Sequence, residues 1–79
     1  MESTLRLSEI KPGTKAVIDK ISTVSGDIGR LRDLGLNEGV AVRLVRYAPM
    51  GDPLEIKLHG FHLSLRKDLA KDIWVSDNK

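Results

Sequence analysis

Two histidines and two nearby carboxylates are the residues of this chain best suited to bind a metal ion. His59 and His62 are its only histidines, and Asp52 and Glu55 lie shortly before them. Imidazole and carboxylate ligands suit divalent transition metals, which usually need about three protein ligands that converge on the ion. Strand alternation sends the two histidines to opposite faces unless Gly60 introduces a bulge. We therefore predict two partly exposed histidines at a hairpin and no resident cofactor. Weak binding of a divalent transition metal by these four side chains is the alternative.

Catalytic residues are harder to assemble from this sequence. The chain has no cysteine, which excludes disulfides, thiolate zinc sites, iron–sulfur clusters and cysteine nucleophiles. A hydroxyl nucleophile needs a histidine base beside it, and no spacing in the sequence places a serine next to His59 or His62. Asp52 and Glu55 form a carboxylate pair, but no long insertion is present to build a pocket around them. The sequence favours a binding module over an enzyme.

The segment from 48 to 53 is the better candidate for contact with a partner. Its two prolines stiffen the backbone, so presenting Met50 to another protein costs little ordering entropy. Methionine adapts readily to apolar partner surfaces. The alternative is a rigid connection between two strands. The residues of this loop are Ala48, Pro49, Met50, Gly51, Asp52 and Pro53.

Two arginines on a predicted short helix form a second candidate contact surface. Arg30 and Arg32 lie on the polar side of the segment from 27 to 34, where they can meet an acidic surface. The alternative is that both are solvated surface residues, as exposed arginines usually are.

Length and composition limit the classes of protein that this chain can belong to. Its 79 residues, 41% of them hydrophobic and 30% charged, suit one folded domain. We assign the core to residues 5–75 and a polar tail to 76–79. The net charge of +2 comes without a basic stripe, so nucleic acid is not an expected partner. No apolar run is long enough to span a bilayer, so we expect no direct membrane insertion and a cytoplasmic location.

The spacing of the apolar residues and of the turn-forming residues predicts a mainly β fold. Alternating apolar residues indicate strands at 14–21, 40–47, 54–58, 61–65 and 73–75, with one short helix at 27–34 and a helical turn near 67–72. His59 and Gly60 form a tight turn between the third and fourth of these strands. About five short strands with local connections close most readily into a small, partly open barrel.

The short helix must bury one stripe of its surface. Ile28, Leu31 and Leu34 recur every three residues, so we expect all three in the core. Gly35 stands where a left-handed residue ends a helix, and Leu36 can fold back beyond it. Gly39 is a second position that we assign to positive φ, and Ser25 or Asp27 can cap the start of the helix.

Four motifs cover most of the chain in a fixed order. They are Leu7-x-x-Ile10-x-x-Gly13, Arg30-Leu31-x-x-Leu34-Gly35-Leu36-x-x-Gly39, Ala48-Pro49-Met50-Gly51-Asp52-Pro53 and Leu63-x-Leu65-Arg66. Together they resemble the FeoA family, the small cytoplasmic component of bacterial ferrous iron uptake. The pattern is also similar to the C-terminal barrel of metal-dependent repressors related to the diphtheria toxin repressor.

The resemblance implies a fold, a partner and a location. The fold is an SH3-like barrel, and the partner is the cytoplasmic GTP-binding region of a FeoB-type transporter, on which the domain acts as an accessory or regulatory module. This role places it in the cytoplasm, peripheral to the inner membrane through its partner. The alternative implied by the repressor relatives is a transition-metal-binding sensor module, in which His59 and His62 with Asp52 or Glu55 bind ferrous iron or another divalent transition metal. Unpaired strand edges in a small barrel also favour a homodimer.

Overall fold

The computed structural model describes residues 4–22 and 26–77, which form six strands and two helices. The strands are β1 (Thr4–Arg6), β2 (Lys15–Ile21), β3 (Ala41–Tyr47), β4 (Leu54–Leu58), β5 (Phe61–Leu65) and β6 (Ile73–Asp77). The helices are α1 (Gly26–Asp33) and α2 (Lys67–Ala70), and a 3-10 turn spans Leu7–Glu9. Within these described residues, no helix has both the length and the apolarity that a membrane span requires.

All six strands join one antiparallel sheet in the order β1-β6-β2-β3-β4-β5. β4 and β5 form the predicted hairpin, with Leu58 opposite Phe61 on either side of the turn. The four strands from β2 to β5 match the predicted ranges to within one residue. The mainly β prediction is confirmed, with six strands in place of about five.

Two bulges bend the sheet around a single core. The register of β2 shifts against β6 between Ile18 and Lys20, where the apolar alternation of the sequence slips. The register of β3 shifts against β4 between Leu44 and Arg46. A bulge increases the local twist of a strand, so these two positions help the sheet wrap around its own apolar face. One hydrophobic cluster results, and it takes buried residues from β2 to β6, both helices and the 3-10 turn.

The end of α1 explains why one predicted core residue is exposed. Gly35, at φ +109°, donates its N–H to the Arg32 carbonyl at 3.0 Å, and Leu36 donates to the Leu31 carbonyl at 3.0 Å. These are the two hydrogen bonds of a Schellman C-cap. The reversal places Leu36 in the core beside Leu31, while Leu34 remains 43% exposed. The expectation that Leu34 is buried is therefore wrong, because the helix ends at Asp33 and Leu36 takes the core position.

Both ends of the domain extend further than predicted. β1 adds a sixth strand, which pairs Leu5 with Val75 of β6. Three residues are too few for alternation to reveal a strand in the sequence. β6 continues to Asp77, past the predicted start of the polar tail. Ser76 is buried and its hydroxyl donates to the Asp19 carboxylate, which removes the penalty of burying a polar group. The proposed cap Ser25 lies outside the described residues.

Candidate functional site

The loop between β3 and β4, residues 48–53, is held by its own hydrogen bonds. Ala48 donates its N–H to the Pro53 carbonyl at 3.0 Å, which closes the base of the loop. Gly51, at φ +89°, donates to the Ala48 carbonyl at 2.7 Å and forms a turn inside it. Met50 stands at the tip of this turn and is 92% exposed. The loop thus presents a large apolar side chain on a backbone that is already ordered, as a partner-binding site requires.

Asp52, predicted as part of the partner surface, has a structural role in this loop. Its Oδ1 accepts a hydrogen bond of 2.9 Å from the backbone N–H of Lys67, at the start of α2. The N-terminal N–H groups of a helix lack partners within the helix, so a carboxylate there acts as a cap. This hydrogen bond links residues 48–53, called here the Met50 loop, to the start of α2.

Removal of this cap is expected to lower the stability of the domain by a measurable amount. Asp52→Ala leaves the Lys67 N–H without its acceptor and is expected to lower the free energy of unfolding by about 1 kcal/mol. Asp52→Asn keeps an acceptor oxygen and should recover most of that loss. Urea unfolding of the three proteins measures the difference. Equal losses in both variants would show that the hydrogen bond does not stabilise the domain.

The two arginines of α1 lie in different environments. Arg32 donates from Nη1 and Nη2 to the two carboxylate oxygens of Glu38, at 2.9 and 3.1 Å, and from Nη1 to the Asn37 side chain at 3.2 Å. This bidentate pair ties α1 to the segment that leads into β3. Arg30 is exposed and has no ion pair among the described residues. Of the predicted pair, Arg30 is the one available to a partner.

The Arg32–Glu38 pair is expected to make the stability of the domain depend on pH. The hydrogen bonds from Arg32 lower the pKa of Glu38 to about 2 from an ordinary 4.5. A lowered pKa in the folded state adds stability above the unfolded value, so this small contribution is lost as pH falls from 4.5 towards 2. A carbon-detected NMR titration should give a Glu38 midpoint near 2, which rises towards 4.5 in the Arg32→Gln variant. An unchanged midpoint in that variant would contradict the assignment.

The two histidines do not converge on a common point with the carboxylates. His59 lies over Gly35, so close that a Cβ built on the glycine would be 2.6 Å from the imidazole Cδ2. His62 Nδ1 is 3.9 Å from Glu55 Oε2, and Glu55 Oε1 accepts a 2.7 Å hydrogen bond from Arg46. That guanidinium lowers the pKa of Glu55. In the described parts of the chain, no cluster of three or more histidine, aspartate or glutamate side chains is placed to hold a metal ion.

A cavity of about 290 Å³ between α1, the end of β5 and α2 is a feature that the sequence reasoning missed. Arg30 lines it from α1, and Ser64 and Arg66 line it from the β5 side. These residues are distant in sequence and come together only through the fold. The Leu63-x-Leu65-Arg66 motif is the one sequence signal close to them.

Comparison of the sequence with protein-family models shows that nearly the whole chain matches one known domain. The model described as the FeoA domain matches residues 5–77. A curated relative from Porphyromonas gingivalis, an "Fe(2+) transport protein A/Fe(2+) transporter FeoB fusion protein", is 31% identical over 71 residues. That match covers 90% of this chain but only 8% of the fusion protein. The chain therefore corresponds to one small part of that relative.

Solved structures share the fold. The solution structure of the FeoA protein from Chlorobium tepidum has a TM-score of 0.89 at 35% identity, over 95% of this chain and 71% of that one. Stenotrophomonas maltophilia FeoA, an SH3 domain protein complexed with zinc, has a TM-score of 0.75 at 32% identity, over 90% of this chain and 88% of that one. The predicted SH3-like fold is confirmed. The match to the family model over nearly the whole chain and the agreement with these structures lead to one conclusion: this chain belongs to the FeoA domain family.

Proposed function

We propose that this domain is an accessory module of bacterial ferrous iron uptake that binds the cytoplasmic GTP-binding region of a FeoB-type transporter. The observation that carries the proposal is the relative from Porphyromonas gingivalis, in which an Fe(2+) transport protein A part is fused to FeoB. Fusion holds two domains at high effective concentration, so that even a weak contact between them forms. A separate chain that resembles the fused part is expected to make the same contact by diffusion.

The Met50 loop is the surface that we propose for this contact. Met50 is by far the most exposed large apolar residue among the described residues. The hydrogen bonds of Ala48 and Gly51 hold its backbone in place before binding. A partner that buries this side chain gains apolar contact area and orders little additional backbone. Arg30 is a second available contact, whereas Arg32 is already paired with Glu38.

In this role the domain works at the cytoplasmic face of the inner membrane and is held there through its partner. This role requires neither a cofactor nor a catalytic residue. Its effect on the transporter comes from binding, which stabilises one state of the GTP-binding region relative to another.

A second candidate function is transition-metal binding, favoured by the zinc complex of the Stenotrophomonas maltophilia protein. Among the described residues, the one histidine–carboxylate pair within 4.0 Å is His62 with Glu55, and Arg46 already bonds Oε1 of that carboxylate. A divalent ion here has His62 and the remaining Oε2 as ligands, and two ligands support at most weak chelation.

Calorimetric titration of the full chain into the purified GTP-binding domain of the cognate transporter distinguishes the two functions. We expect binding without metal, and an unchanged dissociation constant in the His59→Ala/His62→Ala double variant. Binding that requires ferrous iron under anaerobic conditions and is lost in the double variant would support the metal-binding function instead.

A further inference from the structure

β5 forms one edge of the sheet, and two of its five residues direct their backbone N–H and C=O groups away from the sheet. The strand pairs only with β4. The two-residue turn between them, His59–Gly60, has positive φ at both positions, 51° and 85°. In such a hairpin the pair flanking the turn exchanges both backbone hydrogen bonds, and the pattern then alternates. The N–H and C=O of His62 and of Ser64 therefore point outward. Neither residue has a backbone hydrogen bond in the described part of the chain outside its strand pairing.

The cavity of about 290 Å³ adjoins this edge. Ser64 lies on its wall, and three leucines give it an apolar lining: Leu31 and Leu65, both buried, and Leu69, which is half-buried. A cavity of roughly 150 Å³ holds a benzene-sized group. This cavity therefore has room for a large apolar side chain that enters from the edge of the sheet.

The rim of the cavity has guanidinium groups available for a carboxylate. Arg30 and Arg66 both line the cavity, and neither forms an ion pair within the described residues. Asp27 and Asp68 also line it, and Asp27 already interacts within the chain. Among the described residues, two unpaired guanidinium groups therefore face one further carboxylate, that of Asp68, which leaves an excess of positive charge. Arginine binds a carboxylate more strongly than a neutral acceptor, and often through two hydrogen bonds. The rim thus favours an acidic partner over a basic one.

We propose that the β5 edge and this cavity bind an extended acidic peptide segment that carries one apolar anchor residue. The segment adds a strand to the sheet through the outward backbone groups of His62 and Ser64. Its anchor fills the space between Leu31, Leu65 and Leu69. Residues two positions from the anchor share its face of the strand, so carboxylates there can reach Arg30 and Arg66. Met50 lies outside this site, although Ser64 borders Ala48 and Pro53 of the loop and Arg30 is shared with the proposed transporter contact. The source of the segment need not be the transporter.

An NMR titration of the full chain with a designed peptide tests the site. The probe is the acetylated and amidated peptide TETLTET, whose leucine is the anchor and whose two glutamates lie on the same face. We expect amide shifts at His62, Ser64 and Arg66, and methyl shifts at Leu31 and Leu69. The peptide TETATET should bind about tenfold more weakly because its anchor is lost. TKTLTKT should bind more weakly than either because its charge is reversed.

Variants of the chain test the two parts of the site separately. Ser64→Pro removes an outward N–H without removing a hydrogen bond to β4, and should abolish binding of TETLTET. Arg66→Glu changes an exposed residue, leaves the fold intact and should weaken binding about tenfold. Arg43→Glu makes the same change of charge on the exposed face of β3, away from the cavity, and should leave binding unchanged.

Three outcomes would overturn the proposal. The first is the absence of shifts at millimolar peptide, and the second is shifts centred on β1 at the opposite edge of the sheet. The third is a concentration dependence of the His62 and Ser64 amides without any peptide, which would assign the edge to a second copy of the chain. A negative result here leaves the proposed binding of Met50 to the transporter unaffected, because Met50 lies outside this site and Arg30 is the one contact residue that the two proposals share.

Discussion

Gly35→Ala is expected to lower the free energy of unfolding by about 2 kcal/mol, and the melting temperature by roughly 10 °C for a domain of this size. Gly35 has φ +109°, a conformation that residues with a Cβ rarely adopt. The new Cβ would also lie 2.6 Å from His59 Cδ2 and 2.8 Å from His59 Nε2. The exposed imidazole can rotate away from this contact, so most of the loss comes from the backbone conformation.

A second glycine in the same helix provides a matched control. Gly29 lies inside α1, and a Cβ added there meets no atom within 4 Å. Gly29→Ala is therefore expected to raise stability by about 0.5–1 kcal/mol, because alanine is the better helix former. The same substitution thus has opposite signs at two positions six residues apart in the sequence. Thermal and urea unfolding measure both variants.

His59→Ala in the Gly35→Ala background separates the two causes. If the imidazole contact caused most of the loss, the double variant would regain nearly all of the stability. We expect it to regain only a small part. Destabilisation of similar size in Gly35→Ala and Gly29→Ala would contradict the role of positive φ at Gly35.

Met50→Asp is expected to weaken binding to the GTP-binding domain of the transporter by tenfold or more, while the stability of the isolated domain stays within about 0.5 kcal/mol of the parent. Burial of a methionine side chain contributes about 1.5–3 kcal/mol, which corresponds to a factor of ten or more in the dissociation constant. An aspartate at the same point also has to lose its water on binding. The side chain is 92% exposed in the free domain, so the fold does not depend on it.

Two further variants define what the Met50 experiment measures. Met50→Leu keeps an apolar side chain of similar size and should bind nearly as well as the parent. Leu5→Asp introduces the same charge at another partly exposed apolar residue, in β1, and should leave binding unchanged. If Leu5→Asp weakens binding as much as Met50→Asp does, charge alone explains the result and the loop is not the contact surface.

Local patterns in the sequence predict much of the fold. Apolar alternation in β2 to β5 reveals the strands because one face of each packs on the core. The slip in that alternation near Ile18 coincides with the observed bulge. Gly35 and Leu36 indicate the C-cap of α1 through the residues that such a cap requires.

The features that the sequence does not reveal depend on contacts between distant residues or on single helix boundaries. Leu34 continues the helical stripe, and only the end of α1 at Asp33 shows that it is exposed. The helical pattern assigns both Arg30 and Arg32 to the polar side of α1, yet Arg32 pairs with Glu38 after the turn. Asp52 caps a helix fifteen residues later, and no local pattern indicates that contact.

The candidate site likewise has one part that the sequence predicts and one part that it does not. The exposure of Met50 follows from a loop with two prolines, which the sequence displays directly. The cavity near β5 joins α1 to the segment around Arg66, and the order of strands in the sheet creates that proximity. Sequence reasoning therefore identifies the loop and misses the cavity.

An amide chemical-shift titration of the labelled chain with the GTP-binding domain of the cognate FeoB-type transporter, repeated with ferrous iron under anaerobic conditions, tests the proposed function most directly. We predict shifts at Met50 and its neighbours in the loop, with further shifts at Arg30, and the same pattern with and without iron. An absence of shifts with the protein, together with saturable changes around His59 and His62 when iron alone is added, would contradict the interaction module and support a metal-binding role.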